Sequence, residues 1–439
     1  MINTFNVLNK YFIFDVGSGS LHECDRETSE YLSFKYEGGK DPKLSKERIS
    51  EIEKDIEELK SSGLLFKEEV KAAPVKSNEV KALCLHICHD CNLRCRYCFA
   101  DEGAYKSKRE FMSEETAKAA IDFLIKNSGK RKILEVDFFG GEPLMCLDTI
   151  KNVVAYAKKE AEKAGKKFLF TTTTNAVLLN DDAVDFFNRE MENVVVSIDG
   201  RPEVHDAIRK TKNGKGSFEY IIGNALNFVK KRGDKHYYVR GTFTSKNLDF
   251  SNDVIYLAEH GFDSISLEPV VTDIDDLAIK KEHLPEILKE YENLLLKYLE
   301  KYDRGEGFNF FHFNVDLEGG VCLNKAISAC GAGNEYYSVV PDGSLYPCHQ
   351  FADNKNFYMG NVFEGKLNEE IRGGFAKNCL FTRKGCESCF AKFICSGGCS
   401  ANNFNFCGDV NIPYEITCAM MKKRIECGMY ALAHKKDVK

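Results

Sequence analysis

The chain has 439 residues, 18 cysteines and a formal net charge of −6 at pH 7. Its lysines and arginines are spread along the whole length rather than gathered in a block, so nucleic acid is not expected as a partner. No stretch approaches the roughly 20 apolar residues that cross a bilayer, and the first residues carry no export signal. These features predict a cytoplasmic protein of two to four units without a membrane partner.

The placement of the cysteines gives the first indication of function. In a chain without an export signal, so many cysteines indicate metal binding rather than disulfides. None lies between Cys146 and Cys322, and the last part of the chain, from Cys322 onward, holds eleven. This gap predicts two separate metal-binding regions.

The first part of the chain, residues 1–66, has the pattern of a small winged-helix-like module. A strand is predicted at 11–16 and a short one after the next turn, followed by two helices with Asp25 and Ser45 as N-caps. The second helix carries apolar residues on one face at helical spacing: Ile49, Ile52, Ile56 and Leu59.

Beyond this module the pattern changes twice. The segment 67–80 is charged and poor in apolar residues, which predicts a linker. From 81 to about 305, short apolar strands alternate with amphipathic helices, as in βα units around a parallel sheet. Six strands are predicted, at 82–87, 133–139, 168–173, 194–198, 237–243 and 264–269. Six units are too few to close an eight-stranded barrel, so the predicted fold is α/β, a partial (β/α)6 barrel with its site at the strand C-termini.

Three cysteines, Cys91, Cys95 and Cys98, share one short loop directly after the first of these strands. Three thiolates suit a 4Fe-4S cluster with one iron left open, whereas structural zinc usually takes four closed ligands. Half of a zinc site is the remaining alternative. The spacing C-x3-C-x2-C, with Tyr97 before the last cysteine, resembles the radical S-adenosylmethionine (SAM) enzymes. The resemblance implies that the open iron chelates SAM and that Tyr97 belongs to the cofactor site.

Two further segments resemble SAM-binding motifs of the same family. The first follows the second strand and consists of Gly140, Gly141 and Glu142. It resembles the motif that holds the SAM amino group, and alone it would be an ordinary tight turn. The second contains Ser197 and Arg209, which in the family hold the SAM carboxylate. Arg209 in a surface ion pair is the alternative.

Asn175 follows the third strand and is a weaker candidate. Its position suits a contact with the SAM ribose. It suits equally well the N-cap of the next helix. The sequence leaves both alternatives open.

The cysteines near the C-terminus resemble the SPASM pattern, which binds auxiliary iron-sulfur clusters in peptide-modifying radical SAM enzymes. A zinc ribbon would account for only two of the seven matching positions. The resemblance implies one 4Fe-4S cluster on Cys386, Cys389, Cys395 and Cys418, and a second on Cys330, Cys348 and Cys399. With the first site this makes three clusters. Two auxiliary 4Fe-4S clusters take eight ligands and the pattern provides seven, so the eighth ligand is either Cys322 or a substrate thiol. The remaining cysteines are predicted to be small buried hydrophobes: Cys24, Cys84, Cys88, Cys146, Cys379, Cys407 and Cys427.

The order of the parts resembles the maturases of six-cysteine clostridial peptides, which form thioether cross-links in a ribosomally made precursor. The resemblance implies that residues 1–66 bind the leader of a cysteine-rich precursor by strand addition, with strand 11–16 and its partner as the exposed edge. It further implies a barrel over 81–305, a SPASM domain over 306–439, an external one-electron donor and an anaerobic bacterial source.

His349 marks a departure from one related group. The anaerobic sulfatase maturases carry an aspartate directly after the cysteine that corresponds to Cys348, and that aspartate is their catalytic base. His349 is therefore a candidate for proton uptake, with simple packing beside a cluster as the alternative.

Other functions remain open at this point. One is another radical SAM modification, such as sulfatase maturation, epimerisation or carbon-carbon cross-linking. Another is an electron-transfer protein that uses its clusters as a wire. The segment 140–143 argues against the wire, because electron transfer does not need a site for the SAM amino group.

Overall fold

The structure is a computed structural model that describes residues 1–71, 79–317 and 323–437. Most of the predicted linker, 72–78, and Cys322 lie outside the described residues. The strands are β1 (Ile2–Val7), β2 (Lys10–Asp15), β3 (Leu21–Cys24), β4 (Ala82–Cys88), β5 (Leu93–Cys95), β6 (Ile133–Gly140), β7 (Lys167–Thr174), β8 (Met191–Ser197), β9 (Arg209–Thr211), β10 (Tyr237–Phe243), β11 (Ser264–Pro269), β12 (Asn309–Phe310), β13 (Tyr336–Val339), β14 (Ser344–Tyr346) and β15 (Gly360–Asn361). The α-helices are α1 (Arg26–Leu32), α2 (Lys46–Ser61), α3 (Glu114–Asn127), α4 (Leu147–Ala164), α5 (Asp181–Glu190), α6 (Pro202–Ile208), α7 (Phe218–Arg232), α8 (Ser251–Glu259), α9 (Leu284–Asp303), α10 (Leu323–Ser328), α11 (Glu369–Lys377), α12 (Lys392–Cys395), α13 (Ser400–Cys407) and α14 (Glu415–Asp437).

The N-terminal module contains one strand more than its sequence pattern predicts. β1, β2 and β3 form an antiparallel sheet in that order, so β2 is the central strand. The expectation that strand 11–16 is an exposed edge is therefore wrong, because β1 pairs with β2 along its whole length. β1 was missed because its buried residues Ile2, Phe5 and Val7 do not alternate regularly.

Both helices of the module begin at the predicted caps. The Asp25 carboxylate accepts a hydrogen bond from Thr28 N at the start of α1, and Ser45 Oγ accepts one from Arg48 N at the start of α2. Such caps satisfy amide groups that have no partner within the helix. The apolar face of α2 carries Ile52 and Ile56. It packs on Ile13 of the sheet and on Tyr31 and Leu32 of α1.

All six predicted strands of the parallel sheet are present as β4, β6, β7, β8, β10 and β11. They lie in the order β11-β10-β8-β7-β6-β4, and each neighbouring pair is parallel. The sheet also continues past the predicted end of the barrel at residue 305. β12 adds to β11, and β13 pairs parallel with β4 on the other side. The α/β fold class, a parallel sheet of the radical SAM type with a SPASM region, is confirmed.

The two faces of this sheet differ in chemistry. On β6, Leu134, Val136 and Phe138 are fully buried among residues of the main apolar core, which includes the helices α3 and α4. The alternate residues Glu135, Asp137 and Phe139 face the other way and are partly exposed. Because side chains alternate along a strand, polar groups of neighbouring strands gather on this inner face.

Helix α14 joins the parts of the molecule. Its Arg424 donates to Glu268 Oε2 of β11 at 2.9 Å, and its Tyr430 ring lies 5.6 Å from the ring of Phe12 in β2. Lys392, which is buried, forms an ion pair with Glu69 just after the N-terminal module. Among the described residues no helix combines the length and apolar character needed to cross a membrane.

Candidate active site

The predicted cysteine loop is held against the segment that carries Arg209. β5 and β9 form a separate antiparallel pair in which Cys95 is the partner of Arg209. Burial raises the pKa of Cys91, and the charges of Glu142, Cys95 and Cys98 raise it further. Burial also raises the pKa of Cys95 to about 11, with Arg209 opposing this rise and Cys98 adding to it. The three thiols thus lie close enough together to feel one another's charge.

Nitrogen donors point at two of these sulfur atoms. Leu93 N lies 3.4 Å from Cys91 Sγ, and Asn175 Nδ2 lies 3.7 Å from the same atom. Arg209 Nη1 lies 4.0 Å from Cys95 Sγ. Donors placed in this way suit sulfur that carries negative charge, as an iron-bound thiolate does. The donor set therefore fits an iron-sulfur cluster.

The arrangement differs from that of a mononuclear metal site. Within the described residues, no three side chains of His, Cys, Asp or Glu meet around one point as the ligands of a single ion do. A 4Fe-4S cluster takes each cysteine at a different iron, so its ligands need only surround the cluster.

Arg209 belongs to a buried network. It is 9% exposed and forms an ion pair with Asp199, which is fully buried. The Arg209 Nε atom lies 3.1 Å from Asp199 Oδ1. Tyr97 OH donates to both carboxylate oxygens of Asp199 at 2.8 Å, and the guanidinium carbon lies 5.5 Å from the Tyr97 ring centroid. The alternative of a surface ion pair is wrong. Asp199 thus orients two of the predicted cofactor residues.

The glycine motif is pressed against the cysteine loop. Gly140 has φ +124°, and a Cβ on Gly141 would lie 1.9 Å from the carbonyl oxygen of Asp90. The backbone nitrogen of Glu142 donates to that same oxygen at 3.0 Å. Only residues without a side chain allow this approach, which explains the two glycines.

Glu142 is a buried carboxylate that accepts hydrogen bonds only from neutral donors. It is 1% exposed, and it accepts bonds from Thr174 Oγ1 and Asn175 N at 2.7 Å and from Leu144 N at 3.1 Å. Burial raises its pKa to about 7. A carboxylate in this state gains most from a cation beside it. Its surroundings fit the ammonium group of SAM.

The two remaining SAM candidates lie at the same end of the sheet. Asn175 Nδ2 donates to Asn92 Oδ1 in the cysteine loop at 2.7 Å. It does not cap the next helix, because Asn180 is the N-cap of α5. Ser197 ends β8 and is in register with Arg240 of β10.

Four of the seven SPASM cysteines form one group. Burial raises the pKa of Cys418 to about 12, and the charges of Cys395, Cys386 and Cys389 raise it further. These are the four residues expected to share one auxiliary cluster. Cys386 and Cys389 lie in the loop before α12, Cys395 ends α12, and Cys418 lies in the first turn of α14, so the fold brings them together.

The other three form a second group. Burial raises the pKa of Cys348, and the charges of Cys399 and Cys330 add to the rise. Cys348 is buried, whereas Cys330 and Cys399 are exposed. A small cleft opens beside Cys330, and Asn378 and Ser400 line it.

Arg383 lies between the two groups and was not found by the sequence analysis. It is 3% exposed, and its guanidinium donates to Asn378 Oδ1, Gly398 O and Ser400 Oγ at 2.7–2.8 Å. Burial lowers its pKa, and cysteines of both groups oppose this shift: Cys386, Cys330, Cys395 and Cys399. The sequence motifs described above do not contain this arginine, and its position between the cysteine groups identifies it.

His349 projects toward the inner face of the sheet. Its ring centroid lies 4.9 Å from that of Phe139 in β6 and 5.6 Å from that of Phe99. Its Nδ1 is buried and makes no hydrogen bond within the described residues. Burial lowers its pKa to about 4. Proton uptake by His349 stays a prediction.

The other cysteines match their expected role only in part. Cys84, Cys88, Cys379 and Cys427 are buried, whereas Cys24, Cys146 and Cys407 are partly exposed. The Cys88 thiol interacts with that of Cys146, which is the main cause of its raised pKa. Cys88 is buried as predicted, and its Sγ hydrogen-bonds to the carbonyl oxygens of Asp90 and Glu142.

Two family models match the chain in the two predicted metal-binding regions. A model described as a 4Fe-4S single cluster domain matches residues 80–223. A model described as an iron-sulfur cluster-binding domain, SPASM, matches residues 330–390.

Relatives and solved structures agree with this assignment. An uncharacterized protein of Methanocaldococcus jannaschii is 31% identical over 221 residues, 50% of this chain and 71% of that protein. A cysteine-type anaerobic sulfatase-maturating enzyme of Clostridium novyi is 28% identical over 71% of this chain and 86% of its own.

Two solved structures share the fold. The structure of anSMEcpe with bound AdoMet has a TM-score of 0.67 and 20% identity, and the match covers 82% of this chain and 96% of that one. The structure of Streptococcus suis SuiB bound to precursor peptide SuiA has a TM-score of 0.53 and 16% identity, and the match covers 94% of this chain and 98% of that one. With the site geometry and the family models, these similarities show that the chain belongs to the radical SAM/SPASM maturases, enzymes that use SAM and 4Fe-4S clusters to modify peptides or proteins.

Proposed function

We propose that this enzyme forms a thioether bond between a cysteine sulfur and a carbon of another residue in a ribosomally made precursor peptide. The observation that carries the proposal is the unequal size of the two SPASM cysteine groups, four thiols in one and three in the other. Four cysteines complete a 4Fe-4S cluster, whereas three leave one iron free to bind a further thiolate. A substrate cysteine bound there would be deprotonated and fixed in place.

The proposal includes three 4Fe-4S clusters and an external one-electron donor. When bound, SAM and the cluster at Cys91, Cys95 and Cys98 supply a 5'-deoxyadenosyl radical that abstracts hydrogen from carbon. In this proposal Glu142 accepts the SAM ammonium group, because its carboxylate is buried among neutral donors. Arg209, oriented by Asp199, binds the SAM carboxylate.

We infer that β3 binds the leader of the precursor. The outer edge of β1 is partly covered, because the Thr4 amide donates to Glu37 Oε1 at 3.0 Å. Among the described residues β3 has no strand on its other side. A groove of about 430 Å³ runs along it, lined by Leu21, Leu317 and Leu432 among others. An open edge beside a groove that offers both leucine and polar side chains suits an extended peptide. The precursor bound by SuiB supports a peptide of this kind.

Mass spectrometry of the product tests the proposed reaction. The cluster-loaded enzyme would be reduced in the presence of SAM and a short cysteine-rich precursor peptide. Each thioether removes two hydrogens from the peptide and consumes one thiol. Unchanged mass with inverted stereochemistry would instead identify an epimerase. Loss of hydrogens with every thiol still free would identify carbon-carbon cross-linking.

Sulfatase maturation is the second candidate, and the Clostridium novyi relative favours it. His349 at the position of the maturases' aspartate argues against it. A sulfatase-derived peptide with a single cysteine separates the two reactions. Oxidation of that cysteine to formylglycine, with no change in the cysteine-rich peptide, would replace the thioether proposal.

A further inference from the structure

A row of polar side chains crosses the inner face of the sheet. Asp137 of β6 is in register with Cys84 of β4 and with Thr171 of β7. The row continues to Ser338 of β13 beside Cys84 and to Asn193 of β8 beside Thr171. Five adjacent strands thus each place one polar residue at the same level.

Two atoms of this row have no protein partner. Ser338 Oγ and Asn193 Oδ1 are buried and make no hydrogen bond within the described part of the chain. Buried polar atoms are nearly always paired with protein, water or ligand. The row is therefore suited to receive polar atoms of a substrate.

Asp137 is the only carboxylate of the row. Its Oδ1 accepts a hydrogen bond from Thr171 Oγ1 at 2.8 Å, and the Cys84 thiol also hydrogen-bonds to it. Within the described residues no lysine, arginine or histidine forms an ion pair with it. Burial raises its pKa to about 6, and these hydrogen bonds oppose the rise. A carboxyl group in this environment can take up and release a proton near neutral pH.

Residues that follow Asp137 on β6 lead to both cofactor regions. Gly140, three residues along the same strand, begins the motif predicted to hold SAM. Phe139, two residues along, packs against His349, which follows Cys348 of the three-cysteine group. Cys84 of the same row lies close enough to Asp137 and to Cys348 to feel the charge of both, so the row lies beside the three-cysteine group.

We propose that Asp137 is the base that takes the proton of the substrate cysteine during thioether formation. The S–H bond breaks, its proton moves to a carboxylate oxygen of Asp137, and the electron pair stays on sulfur. The C–S bond then forms with the carbon radical left by hydrogen abstraction, and the surplus electron passes to a one-electron acceptor of the iron-sulfur class. This step rests on the proposed thioether function.

The test compares Asp137→Asn with Glu135→Gln in the full cluster-loaded enzyme. Glu135 lies on the same strand and face and pairs with Lys81 at 2.9 Å, so it is a matched control. The probe is a cysteine-rich precursor peptide with deuterium on its carbons. We expect Asp137→Asn to transfer deuterium to 5'-deoxyadenosine as the wild type does. Its thioether yield per 5'-deoxyadenosine should fall about 100-fold or more, the usual contribution of a base.

The pH dependence gives a second readout. The titratable groups that face Asp137 are Cys84 of β4 and Tyr336 of β13, and burial raises the pKa of both well above their ordinary values, so they stay neutral. The wild-type yield per 5'-deoxyadenosine should fall as the pH drops through about 6, where Asp137 becomes protonated. Thr171→Val removes a hydrogen bond that lowers the pKa of Asp137. In this variant the fall in thioether yield should therefore occur at higher pH.

The outcomes separate the two proposals. A wild-type product that keeps its hydrogens overturns the thioether function itself. If the wild type forms thioether but Asp137→Asn keeps the same yield per 5'-deoxyadenosine, Asp137 is not the base. Asp137 is also not the base if two results occur together. Asp137→Asn would lose iron or deuterium transfer, and Thr171→Val would leave the pH dependence of the thioether yield unchanged, which would mean that Asp137 has a structural role.

Discussion

Gly141 shows how one residue without a side chain joins two halves of a cofactor site. Its Cα lies so close to the cysteine loop that a methyl group has no room beside the Asp90 carbonyl. Backbone atoms at such a contact can separate only if one of the loops moves. The loop that carries Glu142 is therefore fixed relative to Cys91 and its neighbours.

We expect Gly141→Ala to weaken SAM binding by about tenfold or more, because overpacking of this kind costs roughly 1–3 kcal/mol. Calorimetric titration of SAM into the oxidised, cluster-loaded enzyme measures the effect. Gly223→Ala in α7 is the control, since a Cβ there meets nothing within 4 Å. Equal SAM affinity in both variants would mean that the loop contact does not position the cofactor.

Arg383 has a corresponding role at the auxiliary groups. Removing its guanidinium leaves Asn378 Oδ1 and the Gly398 carbonyl oxygen without this buried donor, and Ser400 Oγ keeps Asn378 Nδ2 as a donor at 3.2 Å. A hydrogen bond to a charged group contributes about 1.5–3 kcal/mol, so the loops that carry the SPASM cysteines should loosen.

We therefore expect Arg383→Ala to lose auxiliary iron while it retains the roughly four irons of the first site. Iron per chain, together with SAM cleavage in the absence of peptide, measures the two effects separately. The exposed neighbour Lys384→Ala should keep all its iron. A full iron content in Arg383→Ala would show that the cysteine loops hold their shape without this arginine.

At the scale of elements, the cysteine segment that follows β4 and includes β5 is independent of the SPASM loops. Changing Cys91, Cys95 and Cys98 together to Ala should abolish formation of 5'-deoxyadenosine and leave roughly eight irons bound. The physical reason is that no auxiliary cysteine contributes to the first group. Chromatographic assay of 5'-deoxyadenosine and iron analysis test this. Residual SAM cleavage would place the first cluster elsewhere.

The sequence predicted those elements whose signals are local. The six strands and the helix caps at Asp25 and Ser45 follow from periodicity and short motifs. Asp137 was not found because it lies inside an apolar strand, and its neighbours Cys84 and Thr171 are distant in sequence. Arg383 was not found because its contacts with Asn378, Gly398 and Ser400 depend on how the loops around it fold. Contacts that depend on strand register or on loop packing carry no local signal.

At the scale of the whole molecule, the N-terminal module is part of the main core. Phe5, Phe12 and Phe14 belong to the same apolar cluster as Tyr430 of α14. Deleting the module would therefore expose apolar surface on α14 and would confuse a loss of leader binding with a loss of stability. A single change in the groove beside β3 is the sharper experiment.

We expect Leu21→Glu to weaken binding of the full-length precursor by about tenfold to a hundredfold. The groove between β3 and α14 would lose an apolar contact of roughly 1.5–3 kcal/mol and would gain a charge. Asn6→Glu, on the exposed side of β1, is the matched control, because that edge is partly covered by Glu37. Fluorescence titration with the labelled precursor measures affinity, and SAM cleavage without peptide should stay the same in both variants. If Asn6→Glu lowers precursor affinity as much as Leu21→Glu does, or if Leu21→Glu has no effect on that affinity, the leader does not bind at β3. The groove would then serve only as a structural contact between the module and α14.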